Sequence, residues 1–180
     1  MPNEKHADGF TLIELITTIS ISAILLTMGL PNFSRAIKNN RLTTQINAFS
    51  GALYLARSEA IKRNRRVTVC KSVDSASCTT NNNWDQGWIV FVDPNNNASV
   101  DVNEEIIQIY AALKPQNSLS GNANVDDYIS YVSTGMTQRL SGAFQNGSVT
   151  LCDDRIGDFG KKLVLNNAGR IRIDTGITCP

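Results

Sequence analysis

Histidine is almost absent from this sequence, because His6 is the only one among its 180 residues. Nucleophilic catalysis of the Cys–His or Ser–His–Asp kind would depend on this one residue in the polar N-terminal stretch. Gly-x-Gly-x-x-Gly and phosphate-loop motifs are absent as well. The sequence therefore predicts a protein that is not an enzyme and that holds no cofactor.

An excess of charge of either sign is also absent. Lys and Arg number 17 against 16 Asp and Glu, which gives a formal net charge of +1. The overall charge therefore identifies no partner. The chain shows no regular alternation of helix and strand patterns, which argues against a nucleotide-binding α/β fold.

What the chain does have is a long apolar run near its N-terminus. From Phe10 to Leu30 the only charged residue is Glu14. About 20 apolar residues cross a bilayer core as a helix, which satisfies its own backbone hydrogen bonds. We therefore predict a transmembrane helix at residues 10–30, with the membrane as a partner. A carboxylate near the end of such a helix suggests a function; the alternative is an interfacial charge that reaches the headgroups.

The order of a polar leader, the stretch Gly9–Glu14 and an apolar helix resembles the N-terminus of type IV pilins and type II secretion pseudopilins. This resemblance implies that prepilin peptidase removes residues 1–9, cutting between Gly9 and Phe10, and N-methylates Phe10. It also implies that Glu14 pairs with the N-terminal amine of a neighbouring subunit during assembly, so that two buried charges offset their desolvation together. The alternative is an ordinary signal anchor.

A second helical segment, residues 31–65, follows the apolar run. In the family that the N-terminus resembles, a proline here marks a local break in the long helix, and we assign Pro31 that role. Beyond it, apolar residues recur at steps of three and four, which predicts one buried stripe on an amphipathic helix. The stripe consists of Leu42, Ile46, Phe49, Leu53, Ala56 and Ala60.

Residues 66–180 change to short alternating or apolar segments separated by turn-rich stretches, which predicts an antiparallel β-rich head. The fold class is therefore α+β, with a long N-terminal helix packed on this head. The predicted strands are Arg66–Cys70, Trp88–Val92, Glu105–Tyr110, Tyr128–Val132, Ser148–Cys152, Lys162–Asn166 and Arg170–Asp174. The predicted turn-rich stretches are Thr79–Asn83, Asp93–Asn97 and Asn117–Asn124.

The stretch Trp84–Asp93, followed by Asp101 and Glu104-Glu105, resembles the pattern of GspH/FimT-type minor pilins. Together with the N-terminus, this resemblance covers most of the chain. It implies a type IV pilin-like fold, other pilins and minor pilins as partners, and a single pass through the inner membrane. The head would then lie in the periplasm until the subunit enters a pilus fibre, with exposure at the cell surface as one outcome.

Four cysteines are present, and a periplasmic head would hold them in an oxidising compartment. Four cysteines allow three pairings. We favour the pairs Cys70–Cys78, which closes a short loop, and Cys152–Cys179, which ties the C-terminus to a strand. A four-cysteine zinc site is disfavoured because no Cys-x-x-Cys spacing occurs.

Six oxygen-bearing residues after the strand at Trp88–Val92 follow the spacing of an EF-hand calcium loop. They are Asp93, Asn95, Asn97, Ser99, Asp101 and Glu104. However, Ala98 stands where that loop needs glycine, and strand patterns rather than helices flank it. We favour the alternative, a polar β-hairpin whose side chains cap their own backbone, and predict no metal site.

The C-terminal hairpin carries the strongest functional signal. Gly169 supplies the positive φ that a tight turn needs, and Arg170 and Arg172 would share one face of the strand that follows. Their stems would start about 6.6 Å apart, two strand rises, comparable to neighbouring DNA phosphates. Arginine binds phosphate bidentately. Further positive potential would come from Lys161, Lys162 and Arg155. The alternative is an exposed edge strand whose cations oppose aggregation.

The sequence from Gly169 to Arg172 is also similar to the Gly-Arg-x-Arg motif of FimT-type minor pilins, which are implicated in DNA uptake during natural transformation. This similarity implies non-specific binding to the DNA phosphate backbone through Arg170, Arg172, Lys161 and Lys162. Two alternatives share the fold: a GspH-like pseudopilin of type II secretion, and a purely structural pilus-priming subunit. The preference for single- or double-stranded DNA stays open.

Overall fold

The computed structural model describes residues 9–81 and 83–180, apart from the side chains of residues 28–32. The chain divides into two compact units, Met1–Asn39 and Asn40–Pro180. One α-helix, α1, runs from Leu12 to Arg63. The leader residues 1–8 lie outside the part that the structure describes. The predicted local break at Pro31 was wrong, because α1 continues through this residue.

The start of α1 is closed by a reciprocal pair of capping contacts. The carboxylate of Glu14 accepts hydrogen bonds from the backbone N–H of Thr11 at 3.0 Å and from its hydroxyl at 2.9 Å. The backbone N–H of Glu14 donates to the Thr11 hydroxyl oxygen at 3.3 Å. This is a capping box, which satisfies N–H groups that have no partner within the helix.

The large apolar side chains that the structure describes in the first unit are all exposed. Within the residues that the structure describes, none of the helices combines the length and the hydropathy that membrane crossing requires. The transmembrane segment at residues 10–30 stays a prediction.

In the second unit, the helix buries the predicted apolar stripe. All six residues of the stripe are at most 1% exposed, and they join one core with residues of both sheets. Phe49 lies at its centre, with its ring centroid 5.1 Å from those of Trp84 and Trp88 in edge-on geometry. The burial of these residues confirms the predicted stripe. Residues spaced three and four apart lie on one side of a helix, so every apolar side chain of the stripe packs against the sheets.

The head contains two four-stranded antiparallel sheets in its described residues. The strands are β1 Val67–Lys71, β2 Trp88–Val92, β3 Ile106–Tyr110, β4 Ser118–Gly121, β5 Tyr128–Tyr131, β6 Gly147–Cys152, β7 Gly157–Leu165 and β8 Ile171–Cys179. The first sheet has the order β3-β2-β1-β5 and the second β4-β6-β7-β8. A helix packed on antiparallel sheets is the α+β architecture that the sequence predicts.

Strand β2 is buried on both faces, as its unbroken apolar sequence predicts. Trp88 and Val90 belong to the main core, whereas Ile89 and Phe91 belong to a smaller cluster on the opposite face. That second cluster includes Cys78 and Val100, which lie in the loops after β1 and β2. Long loops therefore cover the outer face of the first sheet.

Three predictions were wrong in detail: one turn-rich stretch contains a strand, and β7 and β8 are longer than the predicted strands Lys162–Asn166 and Arg170–Asp174. Ser118–Gly121 lies within the stretch predicted to be a turn, yet it forms β4 and pairs with β6 from Ser118↔Cys152 to Gly121↔Val149. Backbone pairing recruits this segment, although serine and glycine favour strands little. The last strand begins at Ile171, so Arg170 precedes β8 and is not part of it.

Both disulfide bonds join the pairs favoured from the sequence. Cys70 is bonded to Cys78 and Cys152 to Cys179, with Cα–Cα distances of 5.6 and 5.8 Å. The second bond links the end of β6 to the end of β8. It therefore fixes the C-terminal strand to its own sheet at the end away from the β7–β8 turn.

Candidate nucleic-acid interface

The turn between β7 and β8 is closed by its own hydrogen bonds. Gly169 has φ +72°, a left-handed conformation that favours glycine. Its N–H donates to the carbonyl of Asn166 at 3.0 Å, and the N–H of Arg170 donates to the Asn166 side-chain oxygen at 2.9 Å. The turn thus fixes the backbone from which Arg170 projects.

The same turn is held against the rest of the head. Arg57 of α1 donates from Nη1 to the carbonyl oxygen of Gly169 at 3.0 Å. Thr137 donates its N–H to the Asn167 carbonyl at 3.2 Å, and its hydroxyl, which donates to the Gln145 carbonyl at 2.6 Å, lies 3.1 Å from the Asn166 carbonyl. A Cβ at Gly169 would meet the carbonyl oxygen of Gly135, so only glycine fits this close approach.

Three of the four predicted DNA-binding cations lie on one side of this hairpin. Arg170 and Arg172 are exposed and line one shallow depression. In the β7–β8 register, Val164 is opposite Arg172 and Lys162 is opposite Asp174. Because strand residues two apart share a face, Lys162 and Arg172 point to the same side. We call Lys162, Arg170 and Arg172 the cationic hairpin.

Lys161 is the exception. It is adjacent to Lys162 in β7, so its side chain leaves the opposite face of the sheet. Its register partner in β6 is Leu151, which belongs to the main core. The structure therefore does not bring Lys161 together with the cationic hairpin.

Arg172 already has an anionic partner within the chain. Its guanidinium donates from Nε to Oδ1 of Asp174 at 2.8 Å and from Nη2 to Oδ2 at 3.0 Å. The two side chains are 72% and 36% exposed. An exposed pair of this kind contributes about 0.2–1 kcal/mol, so a phosphate can compete for the same fork.

Arg155 does not add to this positive surface. Its guanidinium is paired with Asp153, with Nη2 2.7 Å from Oδ2, and lies 4.3 Å from the centroid of the Phe159 ring. The Arg155 side chain is only 13% exposed and that of Asp153 4%. The prediction that Arg155 strengthens the local potential was wrong, because a buried carboxylate neutralises it.

A second, polar depression adjoins the first and was not found from the sequence. It shares Arg172 and Val164 with the first depression and extends across β7 and β6. Its polar lining comprises Asn122, Asn124, Asn146, Ser148, Lys162 and Asp174. These residues come from separate loops and strands, so no local pattern marks them as neighbours.

The loop between β2 and β3 matches the favoured hairpin alternative. The carboxylate of Asp93 accepts the N–H groups of Asn97 at 3.1 Å and Ala98 at 3.2 Å, and it is buried. Asp101 accepts the side-chain amides of Asn95 and Asn97 at 2.6 and 2.9 Å. Within the described residues, no group of three or more His, Cys, Asp or Glu side chains is placed to hold a metal ion.

Glu104 closes this loop from the other end. It accepts the N–H of Asp101 at 3.1 Å. Burial raises the pKa of Glu104 above its ordinary value, and the nearby carboxylates of Asp93 and Asp101 act in the same direction. The loop oxygens therefore serve mainly as caps for the loop backbone.

Comparison with protein-family models gives two matches. Residues 45–169 match the type II transport protein GspH, and residues 5–30 match the prokaryotic N-terminal methylation motif. The first match ends at Gly169, so Arg170 and Arg172 lie just outside it. A search among curated proteins gives no match.

Solved structures of minor pilins and pseudopilins share the fold. The type IV minor pilin FimU of Pseudomonas aeruginosa superposes with a TM-score of 0.57 at 17% identity, over 79% of this chain and 95% of that one. The minor pseudopilin EpsH from the type 2 secretion system of Vibrio cholerae gives 0.51 at 12% identity, over 75% and 97%. At these identities the likeness concerns the fold alone.

Proposed function

The chain belongs to the GspH family of minor pilins and pseudopilins, and we propose that it is a minor type IV pilin that binds DNA through the cationic hairpin. Binding would be independent of sequence and would serve DNA uptake in natural transformation. The observation that carries this proposal is the presentation of Arg170 and Arg172 beside one depression, on a turn anchored to α1.

The chemistry of the hairpin suits a polyanion. Guanidinium groups bind phosphate oxygens in bidentate geometry, and contacts to the backbone carry no sequence information. Lys162 adds a third cation on the same face. Binding of this kind is weak for a single head, and repeated heads along a fibre would raise it by multivalency.

Two neutralising variants test the proposal in the full-length protein in detergent. Binding of a labelled DNA duplex would be followed by fluorescence anisotropy at several salt concentrations. For each phosphate contact, the slope of log K against log salt is about 0.9, so Arg170→Gln together with Arg172→Gln should reduce the slope by roughly twice that. Transformation should fall in cells that carry the same double variant.

Arg35→Gln provides the control, because Arg35 is an exposed cation in the first unit. It should leave both the affinity and the salt slope unchanged. The proposal is refuted if the double variant keeps the affinity, the salt slope and the transformation of the wild type. That result would favour one of the two alternatives that have no DNA ligand.

The first alternative is a pseudopilin of type II secretion, which the match to the GspH family model supports. The second is a purely structural subunit that primes pilus assembly. Both share the fold and the processing signal. Both predict that cells with the double variant still assemble and secrete normally, and that the wild-type head has no measurable affinity for DNA.

Processing and location are part of the same proposal. The match to the N-terminal methylation motif supports cleavage by prepilin peptidase between Gly9 and Phe10 and anchoring of residues 10–30 in the inner membrane. Mass spectrometry of the mature protein should find N-methyl-Phe10 as its first residue. Glu14→Ala should leave insertion intact and prevent assembly with other pilins, whereas an intact Met1 beside active peptidase would refute the cleavage.

A further inference from the structure

The cationic hairpin is one end of a longer polar surface. The first depression lies beside Arg170 and Arg172, and the second begins at Arg172 and Val164 and continues across β7 and β6. The two depressions therefore meet at Arg172 and Val164, which line both. A ligand longer than one phosphate would extend from the hairpin into the second depression.

The second depression offers side chains that suit a sugar-phosphate backbone. Asn122, Asn146 and Ser148 present amide and hydroxyl groups, which commonly donate to phosphate and sugar oxygens. Among the described residues that line the two depressions, none is aromatic. Unpaired bases are held mainly by stacking on aromatic rings, so this surface suits the backbone of a duplex better than a single strand.

Arg139 stands beside the second depression. Its guanidinium donates from Nη1 to Oδ1 of Asn124 at 3.2 Å, and Asn124 belongs to the lining. The backbone of Arg139 is fixed by a tight turn, with its N–H on the Ala143 carbonyl at 2.8 Å and its carbonyl accepting from Gly142 at 3.0 Å. Arg139 is exposed, and its partner Asn124 is neutral, so the full positive charge is available to a ligand.

We propose that the phosphate-binding surface runs from the cationic hairpin across the second depression to Arg139, and that its ligand is the backbone of duplex DNA. This inference rests on the proposed function and names its ligand more closely. Arg139 would hold a phosphate beyond those held by Arg170 and Arg172. Asn146 would lie along the path between these contacts.

The first test neutralises Arg139 in the full-length protein in detergent, with a labelled duplex and a single strand of the same length as probes. Arg139→Gln should weaken duplex binding several-fold and reduce the salt slope by about 0.9, the share of one phosphate. Single-strand binding should change less. Lys114→Gln is the matched control, because Lys114 is exposed and lines neither depression.

The second test changes the charge along the path. Asn146→Lys should tighten duplex binding and Asn146→Asp should weaken it, because Asn146 is exposed in the second depression. The same two substitutions at Asn103, an exposed residue of the β2–β3 loop, should have clearly smaller effects. Equal effects at the two positions would show long-range attraction only and would overturn the proposed path.

The outcomes separate this inference from the proposed function. If the variant with Arg170→Gln and Arg172→Gln loses binding while Arg139→Gln keeps wild-type affinity and slope, the longer surface is wrong and the proposed function stands. If Arg139→Gln weakens single-strand binding as much as duplex binding, the assignment to duplex DNA is wrong. If the wild-type protein binds neither probe, both the proposed function and this inference fail.

Discussion

Arg172 and Asp174, two residues apart on one face of β8, are joined by a bidentate ion pair with hydrogen bonds of 2.8 and 3.0 Å. A carboxylate thus occupies the guanidinium fork that would receive a phosphate oxygen. Asp174 also places a negative charge in the depression that adjoins the cationic hairpin. It acts as an internal competitor for the proposed ligand.

Removal of this competitor should strengthen DNA binding. Asp174→Asn frees the Arg172 fork and removes a repulsive charge, and an exposed pair worth about 0.2–1 kcal/mol corresponds to a gain of roughly 1.5- to 5-fold in affinity. Asp158→Asn is the control with the same change in net charge, because Asp158 accepts a hydrogen bond from Thr178 rather than from a cation. Equal gains in both variants, measured by anisotropy, would contradict a specific role for Asp174.

Two glycines of similar conformation should respond differently to alanine. Gly169 has φ +72° and Gly176 has φ +70°, so both substitutions cost about 1–2 kcal/mol of backbone strain. A Cβ at Gly176 meets nothing within 4 Å, whereas at Gly169 it would meet the Gly135 carbonyl and, at 2.9 Å, the Tyr131 ring. Thermal unfolding should therefore show a clearly larger loss for Gly169→Ala. Equal losses would mean that the turn does not pack as closely as described.

The two disulfide bonds should differ in their contribution to stability. The bond Cys152–Cys179 spans 27 residues and Cys70–Cys78 spans 8. By loop entropy these correspond to about 3.5 and about 2.5 kcal/mol. Chemical denaturation of paired Cys→Ser variants should show the larger loss for the first bond. Loss of that bond should also weaken DNA binding, because the C-terminal end of β8 would no longer be covalently linked to β6.

Acid should destabilise the head through the carboxylates that Arg63 binds. The Arg63 guanidinium donates to Glu59 and, with two nitrogens, to Glu105. These hydrogen bonds hold the pKa of both carboxyls below the ordinary value of 4.5. A lowered pKa in the folded state means that the unfolded state binds more protons in acid, so this stabilisation is present above about pH 4.5 and is lost as the pH falls.

Glu105→Gln should reduce this acid sensitivity. The variant should have a lower melting temperature than the wild type at neutral pH, and the difference should shrink between about pH 7 and pH 3. Glu104→Gln should behave differently, because burial raises the pKa of Glu104 and its charged form is therefore the unfavourable one. An unchanged pH profile in Glu105→Gln would show that the Arg63 pairs contribute nothing measurable.

The helix and most strands could be predicted because their patterns are local. The helical spacing from Leu42 to Ala60 places every apolar residue of the stripe in the core, and the apolar run Trp88–Val92 forms a buried strand as predicted. The strand β4 could not be predicted in this way. Its residues Ser118–Gly121 become a strand only because β6 offers them a distant backbone partner.

In the candidate site, too, features with a local pattern could be predicted and features formed by distant segments could not. Arg170 and Arg172 could be found from a short motif, and the Arg172–Asp174 pair could have been read from two strand residues that share a face. The second depression and Arg139 could not be found from the sequence, because turns and strands far apart in the sequence bring their residues together. Once the bounds of β7 are known, the alternation of side chains along a strand shows that Lys161 and Lys162 lie on opposite faces of the sheet.

The anchoring of the β7–β8 turn has a consequence for the thermodynamics of binding. Arg57 holds the carbonyl of Gly169, and Thr137 holds that of Asn167, before any ligand arrives. A flexible loop would lose roughly 1–2 kcal/mol of backbone conformational entropy per residue on capture by DNA. Here folding has already ordered that backbone, so association costs mainly the side-chain freedom of the arginines. A preorganised hairpin of this kind would bind and release the proposed ligand repeatedly without refolding.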